Sequence, residues 1–207
     1  FQSSYDGLLS YTYSHDKAAD VVVRASDGAI FVVGESIMPV GGSPYSKGAI
    51  LKLNPDGTLD SSFDGDGKLL LTIAFPSNQT SISAAGLQSD GKLVVAGETW
   101  TGTSRHMFVA RILNDGTLDG SFGWGGWRTT DFNHDGETHV TQVHDLEIAS
   151  ETDAHNDSIT VVGSSRPNTE LRGHVAIARF EADGGLDASF AGIASGRVFE
   201  EFGTIES

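Results

Sequence analysis

The chain contains no cysteine among its 207 residues. That absence excludes disulfide bonds, zinc-thiolate sites and cysteine nucleophiles, and it is compatible with export from the cell. Long hydrophobic runs are also missing, since no stretch reaches the roughly 18 consecutive apolar residues that a membrane helix requires. The sequence therefore predicts no membrane insertion.

Positive charge is scarce, because 13 Lys and Arg residues stand against 28 Asp and Glu residues and leave a formal net charge of −15. Binding to nucleic acid depends on clustered basic side chains that neutralise phosphates. Adhesion to anionic membrane surfaces needs the same kind of cluster. We therefore expect no nucleic-acid partner.

Internal repetition is what the sequence has in abundance. A Leu-Asp-x-Ser-Phe string ends at Phe63, at Phe122 and again at Phe190. Each copy is preceded by a tight-turn pair and a Val-rich run, at residues 26–35, 89–98 and 156–163. Two blocks that recur in one order at intervals of about 60 residues are typical of a repeat architecture.

Each repeat is predicted to contain four strands. Short β-branched and apolar runs alternate with Asp-Gly and Asn-Asp pairs, which accept the backbone conformations of tight hairpin turns. No segment carries a helical period beyond a turn or two. In the second repeat the predicted strands are residues 82–88, 93–96, 108–113 and 127–132.

Four-stranded units repeated at this period predict an all-β fold, a β-propeller of four-stranded antiparallel blades. We assign residues 1–207 to a single β-propeller or propeller segment. Its three repeats span approximately 14–75, 76–133 and 134–203.

The repeated strings at residues 53–63, 87–97 and 108–112 resemble the bacterial delta-60 repeat, and the resemblance covers nearly the whole chain. It implies β-propeller architecture in an exported or surface protein, hence an extracellular or bacterial cell-surface location, and it carries no catalytic motif. By analogy with related propeller repeats, the Val-rich strand before the Asp-Gly turn is innermost and the strand after the Ser-Phe segment is outermost.

That strand order yields three complete blades and leaves one additional outermost-type strand at residues 8–13. Three blades are fewer than the four to eight that usually close a ring. The missing blades would come from self-association with a second copy, or from the remainder of a longer propeller. A ragged edge strand produced by trimming is the alternative.

One loop resembles the first half of a calcium-binding loop. Asp131, Asn133 and Asp135 alternate along the chain and Gly136 permits a sharp turn, as in oxygen-rich calcium loops. The position that would hold the closing bidentate glutamate is Gln142. The motif gives calcium as the candidate cofactor, and a polar loop between strands is the alternative.

Histidines gather in the third repeat, at His134, His139, His144 and His155. Imidazole pairs can hold zinc or copper when a carboxylate joins them. However, the odd separation of His139 and His144 places them on opposite faces of a strand. This spacing favours solvent-exposed or loop histidines over a metal site.

A basic residue precedes the repeated aspartate by eight positions in every repeat. Such a pair would stabilise the turn that follows the third strand, so we predict a structural role. The pairs are Lys52 with Asp60, Arg111 with Asp119, and Arg179 with Asp187.

Tryptophans outside the repeated pattern are the candidate ligand contacts. Trp100 and Trp124 each offer a flat face to a carbohydrate ring or a protein ligand, whereas Trp127 is predicted to pack within the outer strand. No nucleophile elbow, zinc-protease or phosphate-loop motif is present, so we nominate no catalytic residue.

The sequence predicts a non-enzymatic extracellular or cell-surface module for recognition, adhesion or structural display, which binds through loops on one face. The alternative is a secreted enzyme that acts on glycans with a site in the propeller channel.

Overall fold

The computed structural model describes residues 15–40, 43–73, 79–100, 104–132, 138–150, 156–169, 173–192 and 195–201. These residues form β-strands joined by turns, with one short 3-10 segment at Phe190–Gly192, which confirms the all-β prediction. The strands are β1 (His15–Val23), β2 (Ile30–Val40), β3 (Ser43–Leu53), β4 (Lys68–Leu71), β5 (Thr80–Leu87), β6 (Leu93–Trp100), β7 (Arg105–Ile112), β8 (Trp127–Thr130), β9 (His139–Ile148), β10 (Ile159–Pro167), β11 (His174–Phe180) and β12 (Arg197–Glu200).

Consecutive strands pair antiparallel in groups of four. Strands β1–β4 form blade 1, β5–β8 form blade 2 and β9–β12 form blade 3. A single parallel bridge between Arg105 and Val140 joins blades 2 and 3. The fold is therefore a β-propeller array of four-stranded blades, as predicted.

The order of strands within each blade also follows the prediction. The first strands lie side by side, because β5 packs against both β1 and β9. The fourth strands β4, β8 and β12 pair only with the third strand of their own blade. The first strand of each blade, which precedes the turn, is thus innermost, while the predicted strand at residues 8–13 lies outside the described residues.

Two apolar clusters lie between the blades. Phe31 of blade 1 and Val95 of blade 2 belong to the first cluster, whereas Val94, Val161 and Phe180 belong to the second cluster, between blades 2 and 3. Val94 and Val95 face different neighbours because successive side chains point to opposite faces of a strand. The hydrophobic core of this protein is therefore its blade-to-blade interfaces.

A repeated glycine shapes the inner pair of strands in every blade. The first strand is irregular opposite the second, at Ala18–Asp20 in blade 1 and Ile82–Ala84 in blade 2. This brings a carbonyl oxygen within 1.9 Å of where a Cβ on Gly34 or Gly97 would lie. No side chain fits at that distance, so these β-bulges require glycine.

Candidate functional site

The basic and acidic residues that recur in each repeat form ion pairs. Lys and Arg side chains at the end of the third strand reach the aspartate eight residues later, which confirms the predicted contact. The distances are 2.8 Å for Lys52 Nζ to Asp60 Oδ2, 3.0 Å for Arg111 Nε to Asp119 Oδ2, and 2.6 Å for Arg179 Nη2 to Asp187 Oδ2.

The same aspartates also organise the turn that follows. Asp119 Oδ1 accepts hydrogen bonds from the backbone N–H and the hydroxyl of Ser121, at 3.0 and 2.6 Å. An Asx turn of this kind explains why Ser stands two positions after Asp. Asp187 bonds Ser189 in the same way, at 2.8 and 2.6 Å. These carboxylates are therefore held by structural ion pairs and hydrogen bonds.

Their environment favours the ionised form. The hydrogen bond from Lys52 and those from Ser62 lower the pKa of Asp60 to about 2, and the hydroxyl of Ser189 together with Arg179 lowers the pKa of Asp187 to about 2. Burial acts to raise the pKa of Asp119, but its hydrogen bonds and the Arg111 charge outweigh burial and hold that pKa at about 2. All three carboxyl groups are charged at neutral pH.

These pKa values predict loss of stability in acid. Asp60, Asp119 and Asp187 bind protons more weakly in the folded chain than in the unfolded chain, whose carboxyls titrate near 3.8. Their stabilising effect is therefore complete above pH about 5 and is lost as the pH falls toward 2. Urea unfolding between pH 7 and pH 2.5 should show this decline, and Asp187→Asn should flatten it. A pH dependence that Asp187→Asn leaves unchanged would contradict the assignment.

The two candidate tryptophans lie at opposite ends of blade 2. Trp100 ends β6 beside Arg105, the first residue of β7, whereas Trp124 precedes Trp127, the first residue of β8, near the Asp115-Gly116 turn. We call these the Trp100 end and the turn end of the array. The structure therefore does not bring Trp100 and Trp124 together.

Each tryptophan packs against an arginine of its own blade. The guanidinium carbon of Arg105 lies 4.6 Å from the ring centre of Trp100, and that of Arg128 lies 3.9 Å from Trp124. Cation–π contacts of this kind hold both partners in place. Trp124 nevertheless remains 55 % exposed, and the ring of Trp127 meets it edge-on at 5.9 Å.

A small polar pocket lies between blades 2 and 3 at the Trp100 end. Its volume is about 170 Å³, and its walls include Arg105, Gln142, Ser164, Ser165 and Arg166. Two arginines and several residues with hydrogen-bonding side chains therefore line one cavity, in a chain whose net charge is −15. Such a donor set suits an anionic group.

Sequence analysis did not nominate this pocket. Its residues come from β7, β9, β10 and Gly173 before β11, and they do not repeat, so no periodic signal marks them. One signal was available within the second strand of each blade. The residue after the repeated glycine is a glutamate in blades 1 and 2, Glu35 and Glu98, but Ser164 follows Gly163 in blade 3. Ser164 thus lines the pocket where the other blades carry a carboxylate.

Glu98 itself is a structural residue of the same region. Its side chain is buried, and Oε1 accepts the backbone N–H of Val143 in blade 3 at 2.5 Å. Burial raises the pKa of Glu98, and the Val143 N–H and the charge of Arg105 offset part of that rise. Glu98 therefore joins blades 2 and 3 through a hydrogen bond beside the pocket.

Of the predicted calcium ligands, the structure describes only Asp131. Its backbone carbonyl accepts a hydrogen bond from Arg197 Nη1 at 2.5 Å, and its Oδ1 lies 3.4 Å from the same nitrogen. Its Oδ2 lies 3.9 Å from His106 Nδ1. Asn133 and Asp135 lie outside the described residues, so the calcium site stays a prediction. Within the described ranges, no group of three His, Asp or Glu side chains is placed to hold a metal ion.

The histidines separate as their spacing predicted, since His139 is buried at the start of β9 and His144 is exposed on the same strand. The expectation that these histidines would be exposed or in loops was wrong for His139. Its ring packs edge-on against Phe199 at 5.5 Å, and Phe199 stacks on His174 at 4.2 Å. His134 and His155 lie outside the described residues.

Three stacked blades with repeated turn motifs define the class of protein, a β-propeller repeat. The chain belongs to the family described as domain of unknown function (DUF5122) beta-propeller, whose model matches residues 25–63, 88–122 and 156–190, more than half of the chain. Each match ends at the phenylalanine of the Leu-Asp-x-Ser-Phe string. No curated protein matches the chain, and no helix in the described ranges has the length and apolar character needed to cross a membrane.

Proposed function

We propose that this chain is a non-enzymatic recognition module of the delta-60 repeat type, which acts outside the cell or on the bacterial cell surface. Its ligand is an acidic carbohydrate, and the binding site is the pocket at the Trp100 end. The location is supported by the resemblance to repeats of exported and surface proteins. The ligand class is supported by the chemistry of the pocket.

The observation that carries the proposal is that two arginines, Arg105 and Arg166, line one cavity. A volume of about 170 Å³ is smaller than the 300 Å³ or more of typical small-molecule sites. It accommodates one carboxylate while the rest of a larger ligand lies across the surface. The amide of Gln142 and the hydroxyl of Ser164 both donate and accept hydrogen bonds, which matches sugar hydroxyls.

Trp100 acts through Arg105 in this proposal. Its ring packs against the guanidinium at 4.6 Å, so it holds Arg105 in an orientation suited to a bound carboxylate. A preorganised arginine loses less side-chain entropy when the ligand binds. Trp100 is therefore a positioning residue of the site.

The carboxyl groups support recognition over glycan hydrolysis. Glycosidases need two carboxyl groups that flank a cavity, one of them with a raised pKa. Asp60, Asp119 and Asp187 are held by their turns, and Glu98 is buried on the N–H of Val143. These four carboxyls are thus occupied by structural contacts.

Isothermal titration with oligogalacturonate and with the neutral galactose oligomer of equal length tests the proposal. We expect binding of the acidic oligomer that weakens with salt. Arg105→Gln should weaken it about 10- to 100-fold, because hydrogen bonds to charged groups contribute about 1.5–3 kcal/mol.

The matched control is Arg128→Gln, which removes the other tryptophan-packed arginine at the opposite end of blade 2. It should leave affinity unchanged. Equal affinity for the acidic and neutral oligomers, or equal losses in the two variants, would overturn the proposal.

A further inference from the structure

Within the described residues, one sheet face of blade 1 and one of blade 3 have no neighbouring blade, and each carries an exposed valine. We call the face of blade 1 that points away from blade 2 the leading face; on it Val21 is 56 % exposed. The face of blade 3 that points away from blade 2 is the trailing face, on which Val162 is 36 % exposed. Ser164 and Gln142 of the polar pocket share this face, so a docked second copy would border the pocket. What marks these two faces as interaction surfaces is their equivalence to the buried interfaces between the blades.

We propose that the trailing face binds the leading face of a second copy of this chain, so that two copies close a six-bladed ring. Each open face is a further copy of a surface already buried inside the array. The existing interfaces therefore show how the two faces would dock.

The leading face repeats the surface that blade 2 buries against blade 1. Val21 pairs with Val32 across blade 1, and Ala85 pairs with Val95 at the same register of blade 2. Ala85 and Val95 are 6 % and 0 % exposed because blade 1 covers them. Val21 and Val32 present the same kind of side chain at the same place, but no described residue covers Val21.

The trailing face repeats the surface that blade 1 buries against blade 2. Val162 pairs with Ile177 in blade 3, as Val33 pairs with Ile50 in blade 1. Val33 and Ile50 are 1 % and 0 % exposed, whereas Val162 and Ile177 are not fully buried. The two open faces are thus the two complementary halves of one interface type.

Polar links between blades repeat in the same way. Lys52 Nζ donates to the carbonyl of Asn114 in blade 2 at 3.3 Å, and Arg111 Nη1 donates to the carbonyl of Ala182 in blade 3 at 2.8 Å. Each acceptor lies directly before the Asp-Gly pair of the next blade. Arg179 occupies the donor position in blade 3, where its next blade would be blade 1 of the second copy.

A backbone link runs beside each of these contacts. The N–H of Asp64 donates to the carbonyl of Asp115 at 2.8 Å, and that of Gly123 donates to Asp183 at 2.7 Å. Both donors have a positive φ, 48° and 54°, and Ala191 at the equivalent position of blade 3 has a φ of 61°. Positive φ is costly for alanine. Ala191 thus keeps the backbone conformation that, in blades 1 and 2, directs an N–H to the next blade.

Blade 1 carries the matching acceptors. The residues equivalent to Asn114 and Asp115 are Pro55 and Asp56, directly before Gly57. In a closed ring the guanidinium of Arg179 would therefore bond the Pro55 carbonyl of the second copy. The N–H of Ala191 would bond the Asp56 carbonyl.

The phenylalanine that ends the Leu-Asp-x-Ser-Phe string is covered by the next blade in blade 2 but not in blade 3. Phe122 is fully buried, and Gly184 of blade 3 lies so close that a Cβ there would be 2.8 Å from its ring. Phe190 remains partly exposed. Gly57, which corresponds to Gly184, has nothing within 4 Å of its Cβ position. Phe190 of one copy thus fits over Gly57 of the other.

Two copies are the number that the geometry supports. The interface is head to tail, and head-to-tail contacts form a ring when the rotation closes. Two copies supply six blades, within the four to eight that propellers usually have, whereas three copies would supply nine.

The test uses two charge variants, Val21→Glu on the leading face and Val162→Glu on the trailing face, measured by native mass spectrometry and light scattering. Both residues are exposed in the single chain, so both variants should keep the circular dichroism spectrum of the unmodified chain. The unmodified chain should have twice the chain mass of 21.8 kDa. Each variant alone should be a monomer, with association weakened at least about 100-fold, because every interface then buries an unpaired charge.

Mixing the two variants gives the sharpest result. Val162→Glu retains an intact leading face and Val21→Glu retains an intact trailing face. The mixture should therefore form a heterodimer, held by the one interface that contains neither glutamate, which neither variant forms alone. A folded but monomeric unmodified chain at about 100 µM, which would leave both faces to blades of a longer polypeptide, would overturn the proposal. Assemblies larger than a dimer, or a mixture that stays monomeric, would overturn it as well.

Discussion

Arg111→Ala should lower the free energy of unfolding by about 3–5 kcal/mol, the usual cost of removing one partner of a buried ion pair. Arg111 bonds Asp119 at 3.0 Å, the Gln88 side chain at 3.0 Å and the Ala182 carbonyl at 2.8 Å. It also lies over the ring of Phe122, 4.8 Å from its centre. Its loss leaves the Asp119 carboxylate with only Lys92, whose Nζ lies 3.6 Å away, and breaks a link between blades 2 and 3. Urea unfolding followed by circular dichroism measures the change.

Arg197→Ala is the matched control. Arg197 also contacts an aspartate, Asp131, but both side chains are more than one-third exposed. An exposed pair of this kind contributes about 0–1 kcal/mol. Similar losses in the Arg111 and Arg197 variants would show that the repeated pair does not stabilise the blades.

Phe122→Ala should cost about 3–5 kcal/mol, because a large buried ring is replaced by a cavity. Phe122 is 0 % exposed and belongs to the cluster between blades 2 and 3. The close approach of Gly184 leaves little freedom to refill the space. The urea concentration at the midpoint of unfolding should therefore fall sharply, while the slope of the unfolding free energy against urea concentration stays constant.

Phe190→Ala provides the comparison, since it removes the same side chain at the equivalent position of blade 3. Phe190 is partly exposed in the single chain, so a smaller loss is expected at dilutions where the chain is monomeric. At high concentration the loss should grow, because the proposed ring buries Phe190. Equal losses for Phe122 and Phe190 at every concentration would refute this explanation.

The fold could be predicted from the sequence because its determinants are local and repeat three times. The Asp-Gly turns need glycine at positive φ, as at Gly116 and Gly184, and the Leu-Asp-x-Ser-Phe string encodes the Asx turn of Asp119 directly. The ion pair of Arg111 and Asp119 could be predicted for the same reason. Each of these signals lies within a few residues of the contact that it forms.

The candidate site could not be predicted in the same way. Trp100 and Trp124 look similar as exposed aromatic residues, but β7 runs between them and carries them to opposite ends of the blade. The pocket joins Arg105 to Ser164 and Arg166, residues far apart in the chain that no repeat relates. Contacts of this kind depend on how blades stack, which local patterns do not specify.

The burial of His139 shows the same limit. Alternation along β9 correctly placed His139 and His144 on different faces. Whether a face is covered depends on contacts from other strands and the neighbouring blade, and β12 brings Phe199 against His139. The sequence pattern contains no information on that contact.

The most direct test of the central claim, that the outer faces of the three-blade array continue its inner interfaces, is the mass of the unmodified chain in solution. Light scattering over a dilution series should give twice 21.8 kDa at high concentration and the single-chain mass on dilution. A chelator should not change either mass, because the contacts proposed for the faces are apolar packing and hydrogen bonds. A single-chain mass at every concentration, with the fold intact, would contradict the claim.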